Sequence, residues 1–443
     1  MKKNFFVMLA LATLVSACNI APKSDYKESN SIGKEQVNVL ITADTLDVPY
    51  RIPAVATAPN GDLVVVADYR YSRQDIGIVE DGRIDIRARI GHNYGKEWGE
   101  VFTILTSEGA DAKDPMYTTF GDPCIASDIE GNGMVMFCCA GDTSFMKGTV
   151  EKHMSIVRLE SNDNGKSWSK PYDLAPQIFK LFEKASWGGA KSMFFTSGRV
   201  FQSRTTKVGS HHRLYVALVM IDANDRWVDF VLYSDDFGKE WKVLGGVEVP
   251  AITEGGDEAK IDELPNGNIL ISCRIKGGRI YNILTVTDKE KGEGTWAEQV
   301  ISDENNRGTV SWTKACHGEI IILPVERVCD GEKMHLLLQS LPIGPLDKSM
   351  LLRTNVGFYY KPLQKPADYA TPEAIAKDWE GRHIVTNLLS AYSTMCLQHN
   401  NHKLAFVFEE TTFCSKRGGG YTIVCKEYSV EEITDGAYRY CEE

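Results

Sequence analysis

The sequence predicts an all-β protein folded as a six-bladed β-propeller. A polar turn followed by an apolar run occurs six times, at intervals of roughly 50 to 80 residues. A second repeat has the pattern Ser-x-Asp-x-Gly-x-x-Trp. Helical periodicity is scarce and is confined to two short stretches, near Pro176 to Lys184 and near Pro372 to Trp379.

The six copies of the first repeat define the expected blades. Their turns lie at Gly61, Gly133, Gly198, Gly267, Gly318 and Asn401, and the apolar runs that follow span 63–67, 134–140, 200–201, 269–273, 320–325 and 404–408. A blade needs four strands, and these intervals leave room for them. Six unrelated hairpins in a β-sandwich are the alternative, and the third copy, with only Val200 and Phe201, is weak.

The second repeat predicts tight hairpins. It occurs at Ser161 to Trp168 and at Ser234 to Trp241, and a degraded copy at Gly91 to Trp98 has Asn93 in the place of Asp. Asp or Asn bonds its own backbone in such a turn, Gly supplies a positive φ, and Trp packs under the loop. These stretches resemble Asp boxes, which implies a structural role away from any site.

The N-terminus is predicted to target the chain for export. Lys2 and Lys3 precede an apolar run from Phe5 to Val15 that is too short to span a bilayer. The residues Val15-Ser16-Ala17-Cys18 resemble a bacterial lipobox, which implies lipidation of Cys18. The expected organisation is a lipoprotein signal peptide at 1–17, a flexible tether at 18–38 and the propeller at 39–443, in a periplasmic or cell-surface protein anchored to the membrane. An ordinary secretory peptide is the alternative.

Composition limits the classes of function. The chain has 443 residues, of which 43% are hydrophobic and 25% charged, as is typical of globular proteins. A net charge of −11 argues against nucleic-acid binding, which needs a basic face. Most cysteines are expected to be core residues, because Cys138, Cys139 and Cys273 lie inside apolar runs.

Charged residues at strand ends carry the prediction of function. The stretch from Tyr50 to Asp75 opens with Tyr50-Arg51-Ile52-Pro53 and brackets one apolar strand with charge, which is costly inside a core unless it is paired. Further arginines and acidic residues lie near the ends of later apolar runs, and a tyrosine, Tyr392, occurs in Ala391-Tyr392-Ser393. In order, the candidate site residues are Arg51, Arg70, Asp75, Glu258, Arg274, Arg353, Tyr392 and Glu409.

This order, with the Asp boxes, resembles the exo-α-sialidases (neuraminidases) of glycoside hydrolase family 33, from about residue 39 to residue 410. The resemblance implies the sialidase propeller fold and a role for each candidate. Tyr392 would be the nucleophile, Glu258 its base and Asp75 the acid/base. Arg51, Arg274 and Arg353 would bind the substrate carboxylate, Arg70 would line the site, and Glu409 would brace Arg51. Arg279 and Arg327 compete with Arg353 for the third position.

The chemistry of a sialoside is consistent with this set. Its anomeric carbon carries a carboxylate, which planar guanidinium groups bind with paired hydrogen bonds that lysine cannot replicate. A carboxylate nucleophile would be repelled by that group, whereas a neutral tyrosine hydroxyl would not. Sialidases with a tyrosine nucleophile are a known exception to the two-carboxylate rule of glycosidases.

The expected function is therefore the release of terminal α-linked sialic acid from glycoconjugates, with retained configuration and with no metal or organic cofactor. The expected partners are sialylated glycans, and the expected state is a monomer. A trans-sialidase or an intramolecular, anhydro-forming sialidase would keep the same residues and stays open. A non-catalytic sialic-acid-binding propeller would lose Asp75, Glu258 or Tyr392, and a glucan-degrading Asp-box enzyme would lack the arginines.

Overall fold

The computed structural model describes residues 26–41, 50–72, 74–77, 82–311, 316–344, 353–411 and 421–442. The predicted signal peptide and Cys18 lie outside these residues, so lipidation stays a prediction. In the described part of the chain, no helix combines the length and the apolar composition that crossing a bilayer requires.

Six sheets surround a common axis, which confirms the predicted six-bladed propeller. In each of the first three blades the opening strand lines the axis. Blade 1 contains Tyr50–Thr57, Leu63–Arg70, Ile84–Gly91, Glu97–Trp98 and Phe102–Leu105. Blade 2 contains Phe120–Ser127, Met134–Ala140, Ser155–Ser161, Tyr172–Asp173 and Gly198–Arg199. Blade 3 contains Ala190–Phe195, Phe201–Val208, His211–Asp222, Trp227–Ser234 and Lys242–Val243.

The last three blades follow the same plan, and two of them take up strands from the N-terminal part of the chain. Blade 4 contains Ala259–Glu263, Ile269–Ile275, Gly278–Asp288, Glu293–Trp296 and Val300–Ser302. Blade 5 contains Ile320–Arg327, Lys333–Pro342, Val356–Leu363, Gly381–Ile384, Lys27–Asn30 and Tyr438–Tyr440. Blade 6 contains Ser390–Leu397, Leu404–Glu410, Thr422–Tyr428 and Val37–Leu40.

Helices are few and short, as the sequence predicts. The α-helical segments are His92–Gly95, Ala175–Phe182, Pro372–Ala376 and Val430–Ile433. The 3₁₀ turns are Gly109–Asp111, Pro115–Tyr117, Phe145–Lys147, Glu304–Asn306 and Pro366–Asp368. The second and third α-helices confirm the two helical stretches expected from periodicity.

The core is divided into six apolar layers, one between each pair of adjacent blades, including blades 6 and 1. Successive strand residues point to opposite faces of a sheet, so Val64 packs toward blade 2 while Val65 packs toward blade 6. Both faces of the inner strands are therefore buried, which explains why these strands read as continuous apolar runs instead of alternating ones.

The N-terminal segment shows that the expected tether of 18–38 is too long. Lys27–Asn30 pairs in parallel with Gly381–Ile384 on the outside of blade 5. Val37–Leu40 pairs with Thr422–Tyr428 and completes blade 6. The polar composition of 27–30 concealed a strand, because an outer strand has exposed side chains and is held by its backbone.

The third repeat copy is also misplaced by the sequence pattern. Val200 lies between two strands and Phe201 begins the hairpin strand Phe201–Val208, whereas the long second strand of blade 3 is His211–Asp222. Along the chain, this inserted hairpin strand comes between the inner strand Ala190–Phe195 and its partner in the sheet, His211–Asp222. The usual spacing between the turn and the apolar run is therefore lost. The short strand Gly198–Arg199 pairs instead with blade 2.

The two Asp boxes have the predicted hairpin geometry. In the first, Gly165 N–H donates to Ser161 Oγ at 2.9 Å and Trp168 Nε1 donates to the Gly165 carbonyl at 3.0 Å. Ser161 pairs with Met134, which pairs with Ser127 at the final residue of the inner strand. The boxes therefore lie at the face where inner strands end, away from the face where they begin.

Buried His383 is expected to make stability depend on pH. Its ring nitrogens lie 2.7 Å from Ser29 Oγ and 3.0 Å from Ser31 Oγ, which ties the N-terminal strand to blade 5. Burial, helped by the positive charge of Lys34, lowers the pKa of the imidazole to about 4. The unfolded chain binds this proton below a pKa of about 6.5, so acidification favours unfolding, by about 2 kcal/mol between pH 8 and pH 5.

The variant His383→Gln keeps a polar side chain but cannot titrate. We expect the loss of unfolding free energy between pH 8 and pH 5 to be about 2 kcal/mol smaller in this variant than in the wild type. Urea denaturation at several pH values measures this difference. Equal losses in both proteins would contradict the assignment.

Candidate active site

The candidate residues converge where the inner strands begin. A cavity of about 340 Å³ opens on the axis at this face. Seven of the eight candidates line it, namely Arg51, Arg70, Asp75, Glu258, Arg274, Arg353 and Tyr392. The eighth, Glu409, lies directly behind Arg51.

Tyr392, Glu258 and Arg274 form a connected group at the floor of the cavity. The Tyr392 hydroxyl donates to Glu258, with its oxygen 2.8 Å from Oε2 and 3.0 Å from Oε1. Arg274 Nη1 donates to the same hydroxyl at 3.0 Å and also to Glu258 Oε2. The hydroxyl is thus held between a carboxylate that can accept its proton and a cation that can stabilise the resulting oxygen charge.

Burial sets the resting charge of this group. Burial, followed by the negative charge of Glu258, raises the pKa of Tyr392 well above its usual value of 10. Burial alone would lower the pKa of Arg274, but Tyr392, Glu258 and Asp257 raise it overall. Tyr392 is therefore neutral and Arg274 charged at neutral pH, and the proton leaves the hydroxyl only if a partner accepts it as a bond forms.

Glu409 organises the strands that carry Arg51 and Tyr392. Its Oε1 accepts from Arg51 Nε and from Ile52 N–H, each at 2.7 Å, and its Oε2 accepts from Tyr392 N–H at 3.1 Å. Ile52 has φ of 57°, which is costly for a β-branched residue. Both inner strands bulge here, between Arg51 and Ala54 and between Ser390 and Ser393. The buried carboxylate of Glu409 holds both bulges.

Three guanidinium groups surround the Tyr392 ring. Arg51 Cζ lies 5.3 Å and Arg353 Cζ 5.8 Å from the ring centroid, while Arg274 contacts the hydroxyl. The Tyr421 ring, which the sequence analysis did not single out, also lies 5.3 Å from Arg51 Cζ. Such a set of cations suits a planar anion.

The two competitors of Arg353 lie elsewhere. Arg279 is fully buried and donates to the Ser272 hydroxyl and to the Cys316 carbonyl. Arg327 ends the inner strand of blade 5 at the opposite face, paired with Asp330 at 2.7 Å. Neither lines the cavity, whereas Arg353 does.

Arg70 and Asp75 form the blade 1 side of the cavity. Arg70 Nη2 donates to Asp75 Oδ1 at 3.2 Å and to Asp68 Oδ2 at 2.9 Å. The Asp75 side chain is 60% exposed, whereas that of Asp68 is fully buried. Asp75 is therefore the carboxyl of this pair that a ligand can reach.

Sequence reasoning missed Asp122. It lines the cavity from blade 2, with φ of 53° at a bulge between Gly121 and Cys124. Burial, followed by the charges of Asp68 and Asp75, raises its pKa well above the usual value. A signal was present, since Gly121-Asp122-Pro123 interrupts an apolar strand with a charge and a proline, which indicates a bulge.

An apolar wall completes the cavity on the side of blades 2 and 3 and was also missed. It consists of Ile76, Phe145, Met146, Met154, Phe194 and Trp227. The Phe145 ring lies 5.0 Å from both the Phe194 and the Trp227 rings. The cavity is thus lined by arginines and carboxylates on one side and by apolar side chains on the other.

A second cavity, of about 590 Å³, opens at the opposite face of the propeller. It is lined by the far ends of the inner strands, such as Thr57 and Ser127, and by none of the candidate residues. Polar side chains fill the axis between the two cavities, where Lys260 Nζ donates to the Arg199 carbonyl and lies 3.7 Å from Glu319. In the described residues, no group of three His, Cys, Asp or Glu side chains could hold a metal ion at either cavity.

Comparisons with known proteins agree with this architecture. The family model of the BNR repeat-like domain matches residues 79–329. A sialidase of Micromonospora viridifaciens is 28% identical over 249 residues, which are 54% of this chain but only 34% of that protein. A sialidase of Paraclostridium sordellii is 23% identical over 81% of this chain and 83% of its own length. The chain thus spans about a third of the first relative and most of the second.

Solved structures show the same fold. A Hadza microbial sialidase superposes with a TM-score of 0.65 and 18% identity, over 90% of this chain and 69% of that one. The intramolecular trans-sialidase from Ruminococcus gnavus superposes with a TM-score of 0.64 and 14% identity, over 89% and 98% of the two chains.

Proposed function

The chain belongs to the BNR repeat-like domain family, and from this premise we propose that it is an exo-α-sialidase that hydrolyses terminal α-linked sialic acid from glycoconjugates. One observation carries the proposal. Three guanidinium groups surround the side chain of a buried, neutral tyrosine, and its hydroxyl donates to a carboxylate. This is the arrangement needed to bind an anomeric carboxylate and to attack the carbon that bears it.

In the proposed reaction, Arg51, Arg274 and Arg353 bind the substrate carboxylate and orient the anomeric carbon over Tyr392. The Tyr392 oxygen forms a bond to that carbon while its proton passes to Glu258. The glycosidic bond breaks as its oxygen takes a proton from Asp75. The products of this step are the free aglycone and a covalent intermediate in which the anomeric carbon is joined to the Tyr392 oxygen by a glycosidic bond.

The second step reverses these transfers. Water attacks the anomeric carbon and gives a proton to Asp75, while the Tyr392 oxygen leaves and recovers its proton from Glu258. Two displacements at one carbon retain the configuration. Arg274, 3.0 Å from the hydroxyl oxygen, stabilises the negative charge that develops on that oxygen in both steps.

The test is hydrolysis of fluorogenic aryl α-sialosides by the purified protein, with aryl galactosides and glucosides as neutral controls. We expect turnover of the sialosides alone, and proton NMR should show α-sialic acid as the first product. An anhydro product would identify an intramolecular sialidase, and transfer to an added galactoside would identify a trans-sialidase. Binding without turnover of any linkage would contradict an enzymatic role.

A further inference from the structure

Asp68 is a fully buried carboxylate beside the cavity, and the proposed reaction does not use it. Its Oδ2 accepts from Arg70 Nε at 3.2 Å and from Arg70 Nη2 at 2.9 Å. Its Oδ1 accepts from the backbone N–H of Asp122 at 3.0 Å. One carboxylate therefore holds a cavity arginine of blade 1 and the bulged peptide of blade 2.

Arg70 is shared between two carboxylates. Its Nη2 donates to Asp68 and, at 3.2 Å, to Asp75 Oδ1. The bond to Asp68 uses two guanidinium nitrogens, whereas the bond to Asp75 uses one. Because Arg70 is 3% exposed, it needs a counter-ion, and Asp68 supplies it within the protein.

The peptide at Asp122 depends on the same carboxylate. A left-handed φ at a residue other than glycine is unfavourable unless its surroundings fix it. The bond from Asp122 N–H to Asp68 fixes this peptide and directs the Asp122 side chain into the cavity. Gly121 leaves the space, since a Cβ there would lie 2.6 Å from Ile76.

We infer that Asp68 is a positioning residue: it holds Arg70 in a two-nitrogen ion pair, so that Asp75 shares only one arginine N–H and stays able to donate its proton. The inference rests on the proposed function, in which Asp75 protonates the leaving oxygen. Removing the charge of Asp68 leaves Asp75 as the strongest counter-ion that Arg70 can reach, so that the guanidinium turns from a shared contact with Asp75 to a full ion pair with it.

The surrounding charges set the scale of this effect. The charged groups that interact most with Arg70 and Asp122 are Asp68, Asp75, Arg51 and Glu258. Burial raises the pKa of Asp68 itself to about 6, against the opposing effect of Arg70. An opposite charge at ion-pair distance lowers the proton affinity of a carboxylate by about 1 to 3 pH units.

The test is the pH profile of kcat/KM for Asp68→Asn with two aryl sialosides. With a poor leaving group, whose departure needs protonation, we expect the basic limb of the profile to move to lower pH by about 1 pH unit. Above that limb, kcat/KM should be about tenfold lower than in the wild type. With a good leaving group, which departs without a proton, the basic limb should match that of the wild type. A merely structural role would lower kcat/KM equally for both substrates and would leave the basic limb of each pH profile at its wild-type position.

Asp85→Asn is the matched control. Asp85 is 2% exposed, lies on the adjacent strand of blade 1 and accepts from Ser107 and Tyr71 instead of Arg70. We expect its basic limb to be that of the wild type with both substrates. A shift equal to that of Asp68→Asn would overturn the inference.

The remaining outcomes are also decisive. Wild-type protein that hydrolyses no sialoside contradicts the proposed function, whereas active wild type with an unshifted Asp68→Asn limb overturns only the inference. If Asp68→Asn does not fold because Arg70 is left buried with its charge, Arg70→Gln is compared with Arg70→Gln/Asp68→Asn. If the basic limbs of these two proteins are equal, Asp68 acts through Arg70, as inferred. Unequal limbs would overturn the inference.

Discussion

Tyr392→Phe is expected to lower kcat/KM for aryl sialosides by at least about 10³-fold. The phenylalanine ring keeps the packing against Arg51 and Arg353 but has no oxygen to attack the anomeric carbon. Glu258 and Arg274 stay paired with each other, so the floor of the cavity keeps its charge balance. Affinity for free sialic acid should change by less than about tenfold, because the arginines bind its carboxylate.

Steady-state kinetics and calorimetric binding of sialic acid separate these two effects. Tyr421→Phe is the matched control, since its ring lies 5.3 Å from Arg51 Cζ, the same distance as that of Tyr392. We expect this control to keep activity within about tenfold of the wild type, because a packing change without loss of a reacting group costs about 1 kcal/mol. Comparable activity of Tyr392→Phe and wild type would exclude Tyr392 as the nucleophile.

The number of blades could be predicted because each blade must bury two faces. That requirement imposes the apolar runs that repeat along the chain, and Val64 and Val65 show how one run serves two layers. The prediction of individual strands failed at the outer edge of a blade, where no second face has to be buried. Strand Lys27–Asn30 is held by its backbone and has exposed side chains, so its residue types carry no strand signal.

The residues of the candidate site could be predicted where they lie at the ends of recognisable strands. Alternation cannot decide between Glu409 and Glu410, because both are buried; Glu409 faces the bulges, and Glu410 accepts from Gln36. Bulges are also why Asp122 was missed. A strand read as regular would direct its side chain by alternation alone, and the left-handed peptide changes that direction.

The roles of Asp68 and Arg70 depend on a contact between blades. The two residues are neighbours on one strand, which the sequence shows, but the bond from Asp122 N–H to Asp68 joins blade 1 to blade 2. Contacts of this kind link residues 54 positions apart in the chain. No periodic pattern encodes them, and only the closed ring of blades brings them together.

Arg353→Lys is expected to lower kcat/KM for sialosides by about 10²-fold. Lysine keeps the charge but cannot donate two parallel hydrogen bonds to a carboxylate, and a charge-assisted bond is worth about 1.5 to 3 kcal/mol. The loss should appear as weaker binding of both the substrate and sialic acid, since the carboxylate is present in each. The measurement is kcat/KM together with the Kd for sialic acid.

The matched control is Arg327→Lys, which changes an arginine of the inner strand of blade 5 at the opposite face, paired with Asp330 and Glu332. We expect its kcat/KM to lie within about twofold of the wild type, because exposed ion pairs contribute about 0 to 1 kcal/mol and this one is far from the cavity. A sialic acid analogue with a neutral amide in place of the carboxylate completes a double-mutant cycle. If Arg353 binds the carboxylate, the affinity difference between wild type and Arg353→Lys disappears with the amide. An unchanged difference would show that Arg353 acts on another part of the ligand. Neither Arg279 nor Arg327 could then take its place as the third arginine that binds the carboxylate, because neither lines the cavity.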